Sequence, residues 1–194
     1  MKRKLALPGT FTGMRRRLLS TTALAALLVP GFALAQSSYA GPEFGVFLPT
    51  DGALKTALGD QWFSVGLSTM RQGDLRTTRT GTNMNFVTQS KNGNKVFIGS
   101  YSIGLFQPFG DGSMRNSTRP YFAARAGVSY IDYAIGTGVN RDADKRIGYN
   151  ANAELGILFG DRLNLSVRYD VNSKHDGYSF DGLSVSLRYG LAKF

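Results

Sequence analysis

Six charged residues stand in this sequence where the local pattern otherwise places small or polar side chains. They are Arg125, Glu154, Arg168 and Arg188, with Glu43 and Asp170 as further members of the set. Each lies in a segment of alternating apolar and polar residues, on the side opposite the large apolar ones. Arginine and carboxylate groups that leave water need each other, because an unpaired buried charge costs several kcal/mol. The chemistry predicted for this set is mutual ion pairing inside a protein.

A second group of chemically active residue types surrounds His175, the only histidine of the chain. Asp176, Ser179 and Asp181 follow it closely, and histidine, serine and carboxylate are the side chains of nucleophilic catalysis. A solvated loop histidine accounts for the same residues and is the preferred interpretation. One histidine cannot build an imidazole-rich metal site, so we assign no metal, no cofactor and no catalytic residue.

The segments that must position the charged residues are clearest around a predicted hairpin. Ile147 to Phe159 alternates at period two, Leu163 to Val171 repeats the pattern, and the two arms meet at Phe159, Gly160, Asp161 and Arg162. Glu154 and Arg168 fall on the less apolar side of their arms. Each arm has about ten residues or slightly more, the length that a tilted strand needs to cross a bilayer.

Six further segments alternate in the same way, which brings the number of predicted strands to eight. The other predicted strands are Glu43 to Leu48, Gln61 to Met70, Arg76 to Gln89, Lys95 to Gln107, Pro120 to Tyr133 and Leu183 to Leu191. Thr50 to Asp60 is predicted to hold a helical turn closed by glycine. Asn92-Gly93-Asn94 predicts a tight hairpin turn. Gly136 to Lys145 and Val171 to Gly182 are predicted polar loops.

The beginning of the chain predicts export. Met1 to Ala35 combines a basic front, an apolar run from Leu18 to Val29 and Ala33-Leu34-Ala35, the features of a signal peptide cleaved after Ala35. Translation from Met14 would give a more ordinary signal, so both starts stay open. The remaining residues, 36–194, form one domain.

Removing the signal peptide changes the charge balance. Of the 23 Lys and Arg residues, six precede residue 36, which leaves 17 basic and 13 acidic residues and a net charge of +4. The high isoelectric point is therefore no argument for a nucleic-acid partner. The absence of cysteine excludes a disulfide scaffold and a thiolate metal site.

The alternation alone does not decide whether water or lipid covers the apolar side. A soluble barrel or sandwich would put the apolar rows inside and leave a surface of Gly, Ser, Asn and single arginines, short of the Lys and Glu that soluble surfaces use. No segment after the signal has the roughly twenty apolar residues of a membrane-spanning helix. The sequence therefore predicts an all-β fold, an eight-stranded antiparallel up-and-down transmembrane β-barrel. Val167 and Leu187 should face lipid, and Ser166 and Ser186 the interior.

Two stretches carry a family resemblance. Arg119 to Tyr133, with Pro120-Tyr121-Phe122-Ala123-Ala124-Arg125-Ala126-Gly127, and Asp170 to Tyr189, with Ser173-Lys174-x-Asp176-Gly177-Tyr178-x-Phe180-x-Gly182-Leu183, are similar to the outer-membrane beta-barrel domain. The chain thus resembles the small eight-stranded outer-membrane barrels, in architecture like the transmembrane domain of outer membrane protein A. In that family the final aromatic residue shares a face with the lipid-facing residues. Phe194 departs from this pattern, because it is in phase with Ser186 and Arg188.

The resemblance implies a location and a role. It implies the outer membrane of a Gram-negative-type bacterium, a structural or interaction role without catalysis, and a monomer. The expected partners are outer-membrane lipid, lipopolysaccharide and the barrel-assembly machinery, the last through the C-terminal strand ending at Phe194. A lipid A-modifying acyltransferase or deacylase is the main alternative, although His175 lacks the deacylase-type His-x-Ser spacing. A narrow pore is the other, less favoured because eight strands enclose only enough room for their own side chains.

Residue counting across the connections predicts how the charges meet. A loop centred between Val139 and Asn140 sets Arg125 opposite Glu154, and a turn centred on Asp161 sets Glu154 opposite Arg168. A loop centred on Tyr178 sets Arg168 opposite Arg188. Opposed Cβ atoms lie about 4.5–5.5 Å apart. We therefore expect Glu154 to accept hydrogen bonds from Arg125 and Arg168, with Arg188 and Glu43 nearby in the lumen.

Overall fold

The fold is described from a computed structural model that covers residues 38–71, 79–109, 118–136, 141–160, 163–190 and 192–193. The predicted signal peptide, its cleavage after Ala35 and the position of Phe194 lie outside the described residues. So do the turn centred on Asp161 and most of the connection before Thr118.

Within these ranges the chain forms eight long strands, one short helix and a two-residue strand. They are β1 (Ser38–Pro49), α1 (Gly52–Leu58), β2 (Trp62–Arg71), β3 (Arg79–Lys91), β4 (Asn94–Pro108), β5 (Thr118–Ile135), β6 (Asp142–Phe159), β7 (Leu163–Asn172), β8 (Gly182–Tyr189) and β9 (Ala192–Lys193). Each long strand pairs antiparallel with the next, and β1 pairs with both β2 and β8. The sheet therefore closes into the up-and-down barrel that the sequence predicts.

Several strand ends differ from the predictions. The polar loop predicted to reach Lys145 is shorter, because β6 begins at Asp142 and pairs with β5 as far as Ile135. The tight turn between β3 and β4 is confirmed: Lys91 pairs with Asn94, and Asn92 and Gly93 have φ values of 52° and 80°. Positive φ at both central residues is the requirement of a two-residue hairpin loop that follows the twist of the strands.

The barrel is apolar outside and polar in much of its interior. Val167 and Leu187 expose 44% and 48% of their surface, whereas Ser166 and Ser186 expose 3% each, which confirms that the first two point outward and the two serines inward. The same outward rows carry further exposed large apolar residues, among them Phe44, Phe63, Ile103, Leu105, Phe122, Leu155, Tyr169 and Val185. This arrangement is the reverse of a water-soluble protein, in which the large apolar side chains fill the interior.

An apolar cap, missed in the sequence, closes the interior at the end of the barrel where α1 lies. Asp51 caps the helix by accepting hydrogen bonds from the backbone N–H groups of Ala53 (2.8 Å) and Leu54 (3.1 Å). Leu54 and Leu58 are fully buried. They belong to a cluster with Phe47, Trp62, Val87, Val96, Ile98, Ile131, Tyr133, Ile135 and Phe180, which we call the apolar cap.

A smaller apolar cluster lies towards the opposite end of the interior. It consists of Phe106, Tyr121, Ala123 and Leu158, and the rings of Phe106 and Tyr121 are 4.6 Å apart between centroids. The six charged residues singled out in the sequence therefore lie between two apolar clusters. Of the described residues, no helical segment is long and apolar enough to cross a membrane.

Candidate functional site

All six charged residues singled out in the sequence are buried inside the barrel. Glu43, Arg125, Glu154, Arg168, Asp170 and Arg188 expose between 1% and 4% of their surface. We call this set the lumenal ion network. Because side chains alternate along each strand, each of these residues points inward from its strand in β1, β5, β6, β7 or β8.

One half of the network is centred on Glu154. Arg125 donates from Nη1 to Glu154 Oε2 at 2.7 Å, and Arg188 Nη2 lies 3.5 Å from Glu154 Oε1. Arg188 Nη2 also donates to Glu43 Oε2 at 2.7 Å. Arg188 thus links the two glutamates, and through Glu43 it reaches across the pairing of β8 with β1 that closes the barrel.

The other half is centred on Arg168. Its Nη1 donates to Glu43 Oε1 at 2.9 Å, and its Nε lies 2.9 and 3.1 Å from the two carboxylate oxygens of Asp170. Asn83 of β3 joins the same group, donating to Glu43 Oε2 at 3.1 Å and accepting from Arg168 Nη1 at 3.3 Å. The amide extends the network across the barrel to the β3 side.

The network alternates in sign and is neutral as a whole. The ion pairs connect its members in the order Arg125, Glu154, Arg188, Glu43, Arg168 and Asp170, three cations and three anions. Charges out of water interact strongly because the surrounding dielectric constant is low, but removing one partner leaves a buried charge uncompensated. In an alternating neutral chain, each of the six members has a neighbour of opposite charge.

The contacts of Glu154 were predicted half correctly. Arg125 binds it as expected, but Arg188, rather than Arg168, is the second arginine within 4 Å. The prediction for Arg168 is wrong even though Arg168 lies directly opposite Glu154 in the β6–β7 pairing. Its guanidinium turns to Asp170 and Glu43 instead, since two carboxylates there accept its N–H groups.

The predicted registers explain the remaining differences. The β6–β7 register is confirmed, but Arg125 lies opposite Asn152 and Glu154 opposite Ala123, a shift of two residues from the prediction. A shift of two keeps both side chains on the inner face, and the long arginine still reaches the carboxylate. The predicted pairing of Arg168 with Arg188 is also wrong, because these residues lie opposite Ser184 and Asn164 respectively.

Tyr121 is a member of the site that the sequence analysis missed. Its hydroxyl donates to the Glu154 carboxylate and lies 3.0 Å from Asn164 Oδ1. The ring occupies the space over Gly156, where a Cβ would come within 2.4 Å of it. A large tyrosine on the row of small residues was the available signal, whereas its position opposite Gly156 depends on a register that was predicted wrongly.

A small cavity separates the network from the apolar cap. It has a volume of about 10 Å³ and is lined by Phe47, Asn85, Val87, Ile98, Ser100, Asn150, Asp170 and Asn172. This volume holds roughly one water molecule, and the amide, hydroxyl and carboxylate groups around it are suitable partners for one. The cavity is too small for an organic ligand.

The side chain of His175 contacts Ser173 and not the serine and carboxylates grouped with it in the sequence. His175 Nε2 lies 3.0 Å from Ser173 Oγ, whereas the Ser179 hydroxyl donates to Asp181 at 2.7 Å. Asp176 accepts a hydrogen bond from the Tyr133 hydroxyl. The residues grouped in the sequence as possible chemistry are thus divided among separate local contacts, and the contact between Asp176 and Tyr133 joins the β7–β8 loop to β5.

Asp51 connects this loop to α1. Besides capping the helix, its carboxylate accepts a hydrogen bond from the Ser179 backbone N–H at 2.9 Å. Burial raises the pKa of Asp51, but the hydrogen bonds from Ser179, Leu54 and Ala53 lower it further, so that the pKa lies below its ordinary value. The ionised carboxylate is therefore the form that holds the helix and the loop together.

The comparisons with known proteins bear on the fold. No protein-family model matches the chain, and no curated protein matches it in sequence. Among solved structures, the chain is similar to Ail, the attachment invasion locus protein of Yersinia pestis, with 9% identity, a TM-score of 0.56, and coverage of 80% of this chain and 97% of that one. The likeness supports the eight-stranded barrel.

Two other barrels are less similar in structure. Neisserial surface protein A shares 13% identity over 79% of this chain and 96% of its own, with a TM-score of 0.49. The N-terminal β-barrel domain of Pseudomonas aeruginosa OprF shares 13% sequence identity over 80% of this chain and 98% of its own, also with a TM-score of 0.49. At these identities a likeness concerns the fold, and the role of the chain must be argued from its own residues.

Proposed function

We propose that this chain is an integral β-barrel protein of the outer membrane of a Gram-negative-type bacterium. The observation that carries the proposal is the distribution of side chains. Rows of large apolar residues such as Leu155 and Leu187 are exposed at 63% and 48% on the outside, while four arginines of the described residues are buried. In water this arrangement would expose a large apolar surface, whereas in a bilayer lipid covers it.

A closed sheet also meets the second requirement of a bilayer. No water is available there to satisfy backbone N–H and C=O groups, so a spanning structure must pair all of them internally. The pairing of β1 with β8 removes the open edges that a flat sheet would leave. The similarity in fold to Ail, an outer-membrane protein in its solved bilayer form, agrees with this location.

The proposed role is structural or interactive and not catalytic. The lumenal ion network, the apolar cap and the cluster around Phe106 fill the interior, so the barrel offers a rigid wall and loops for contacts outside it. Loops are the usual carriers of binding in such scaffolds. We propose a monomer, inserted by the barrel-assembly machinery through its C-terminal strand, in contact with outer-membrane lipid and lipopolysaccharide.

The location is tested by cell fractionation and refolding. The exported protein is expected in the outer-membrane fraction, resistant to extraction by salt and alkali, and the urea-unfolded chain is expected to refold into liposomes with a shift in electrophoretic mobility that boiling abolishes. A periplasmic protein that stays soluble without detergent would contradict the proposal.

A lipid A-modifying enzyme is the second candidate, favoured by the Ser173 and His175 contact of 3.0 Å. A serine beside a histidine is the beginning of a nucleophilic site, although nucleophilic sites also use a third group to orient the base. Mass spectra of lipid A from cells with and without the protein distinguish the two roles. An acyl change that disappears in His175→Ala would favour the enzyme.

A further inference from the structure

Among the side chains that the structure describes, the outer wall of the barrel carries one cluster of charge. Among strand residues whose side chains the structure describes, the charged residues on the outward rows are Lys95, Asp132 and Lys145. They lie on three adjacent strands, β4, β5 and β6, and Asp132 is paired directly with Lys145. The remaining outward positions of these strands are apolar, small or uncharged, so the cluster is an exception that needs a reason.

The cluster lies where the apolar wall ends. Two residues along the same strand from each charged residue are Phe97, Tyr130 and Ile147, which point to the same side. The rings of Phe97 and Tyr130 are 6.4 Å apart between centroids, and Ile147 is 76% exposed. Aromatic residues form girdles at the headgroup level of membrane barrels. The next outward residues therefore reach the level of lipid headgroups.

The contacts within the cluster leave positive charge directed outward. Lys145 Nζ lies 3.3 Å and Lys95 Nζ 3.8 Å from the two oxygens of Asp132. The lysine side chains expose 65% and 57% of their surface, the aspartate only 20%. One carboxylate shared by two ammonium groups gives the cluster a net charge of +1, and each ammonium has three N–H donors, so most of them remain available.

We propose that Lys95 and Lys145 bind the phosphate group of an anionic membrane lipid, in competition with the Asp132 carboxylate that lies between them. The proposal rests on the membrane location proposed above and adds the site at which an anionic lipid binds. A phosphate presents several acceptor oxygens and at least one negative charge, which complements two neighbouring ammonium groups. A zwitterionic headgroup would bring its own cation to the site and gain less.

The test compares lipid retention by the refolded barrel in native mass spectrometry, with phosphatidylglycerol and phosphatidylethanolamine as probes. The double variant Lys95→Gln/Lys145→Gln is expected to retain phosphatidylglycerol on the order of tenfold less than the parent, since each lysine near a membrane surface contributes a substantial attraction to anionic lipid. The matched control is Lys55→Gln/Lys174→Gln, which removes two exposed lysines outside the outer wall and should retain as much as the parent.

Two further experiments test the direction of the charge effect and whether the bound phosphate belongs to a lipid. Asp132→Asn removes the competing anion and should increase retention of phosphatidylglycerol, and a decrease would overturn the proposal. Excess inorganic phosphate should leave the lipid bound; its displacement would show that the site takes free phosphate instead. If both lysine double variants lose the same amount of bound phosphatidylglycerol, the effect comes from overall charge and not from this site. That result would also overturn the proposal.

Failure of this inference is distinguishable from failure of the proposed function. Insertion of each variant into liposomes is measured separately by the mobility shift on boiling. A parent protein that does not insert would defeat the membrane location, whereas variants that insert normally and retain lipids like the parent would defeat only the lipid site.

Discussion

Glu43 has the most demanding position in the lumenal ion network. Its carboxylate receives Arg168 at 2.9 Å and Arg188 at 2.7 Å, together with the Asn83 amide at 3.1 Å. It lies on β1, while the arginines lie on β7 and β8, so the contacts join the first long strand of the barrel to the last two long strands. Burying these charges is itself costly. We therefore expect the network to favour one strand register over others, and not to add to the free energy of unfolding.

The first prediction concerns Glu154. Glu154→Ala should strongly destabilise the barrel, by about 3–5 kcal/mol, because Arg125 loses its carboxylate partner at 2.7 Å while remaining buried. The free energy of unfolding in urea, measured in bilayers or detergent, checks this. A variant as resistant to urea as the parent would contradict it.

A double variant shows whether the cost comes from the stranded cation. In Arg125→Met/Glu154→Ala both charges are absent, so the loss of stability should be smaller than in Glu154→Ala alone. If the loss in the double variant equals the sum of the losses in Arg125→Met and Glu154→Ala, the residues contribute by packing and not by pairing.

The second prediction concerns pH and Asp51. Because the hydrogen bonds hold its pKa below the ordinary value, the carboxylate stabilises the folded loop fully above the pKa of an unfolded aspartate, about 3.9. The contribution is lost as the pH falls through the lower pKa of the folded form. Asp51→Ala should therefore loosen the cap at neutral pH, and the difference from the parent should shrink in acid below about pH 4.

Trp62, the single tryptophan, reports on this cap. Its indole N–H donates to the Gly59 carbonyl at 2.8 Å, and its ring packs on Phe47. Quenching of its fluorescence by acrylamide should increase in Asp51→Ala at neutral pH. Asp60→Ala, an exposed aspartate of the same connection, is the control and should behave like the parent. A gap between Asp51→Ala and the parent that stays constant from pH 7 to pH 3 would refute the assignment.

At the scale of strands, the pattern of alternation was the reliable signal. Period two fixed which side chains share a face, and the inward residues Ser166, Arg168 and Arg188 are buried as predicted. Register depends on connections, and the hairpin turn after β6 was short enough to count across. The β7–β8 loop holds a local pairing of His175 with Tyr178 and is not a symmetric hairpin, so counting from its middle failed.

The apolar cap could not be derived from a single strand. Phe47, Val96, Ile98 and Ile131 stand on the inward rows, where the sequence analysis expected polar and small residues. They lie near the same ends of their strands, which becomes apparent only when the strands are aligned in the closed sheet. Their clustering against the two buried leucines of α1 depends on the fold of the whole chain.

The third prediction tests which face of β7 meets lipid. Val167→Arg should lower the free energy of unfolding by about 2–4 kcal/mol more than Val167→Ala, because arginine at a midplane lipid-facing position must leave water. Urea titrations of both variants in liposomes provide the comparison. Equal effects of the two substitutions would count against lipid on this face.

At the scale of the whole molecule, the fourth prediction concerns its processing. Ala33-Leu34-Ala35 predicts cleavage after Ala35, so the protein extracted from membranes should begin at Gln36. Amino-terminal sequencing checks this directly. A mature protein that retains Leu18 to Val29 would be anchored by that segment instead.

The interior as a whole is layered, and the layers bear on whether the barrel conducts. The apolar cap lies at one end, the cluster with Phe106 and Tyr121 lies towards the other, and the lumenal ion network lies between them. The cavity beside Asp170 has about 10 Å³, room for roughly one water molecule. A permeating ion would have to displace the paired charges of the network, not only open one end.

The last prediction follows from this layering. The parent barrel in planar bilayers should show no stable conductance steps, and Leu54→Ser/Leu58→Ser, which weakens the apolar cap at the two fully buried leucines, should show none either. The reason is that the ion network and the second apolar cluster remain in place when the cap is loosened. The mobility shift on boiling confirms that the variant is inserted. Stable steps in the double variant alone would mean that the cap is the only barrier and that the interior beneath it conducts, while steps in the parent would favour the narrow pore.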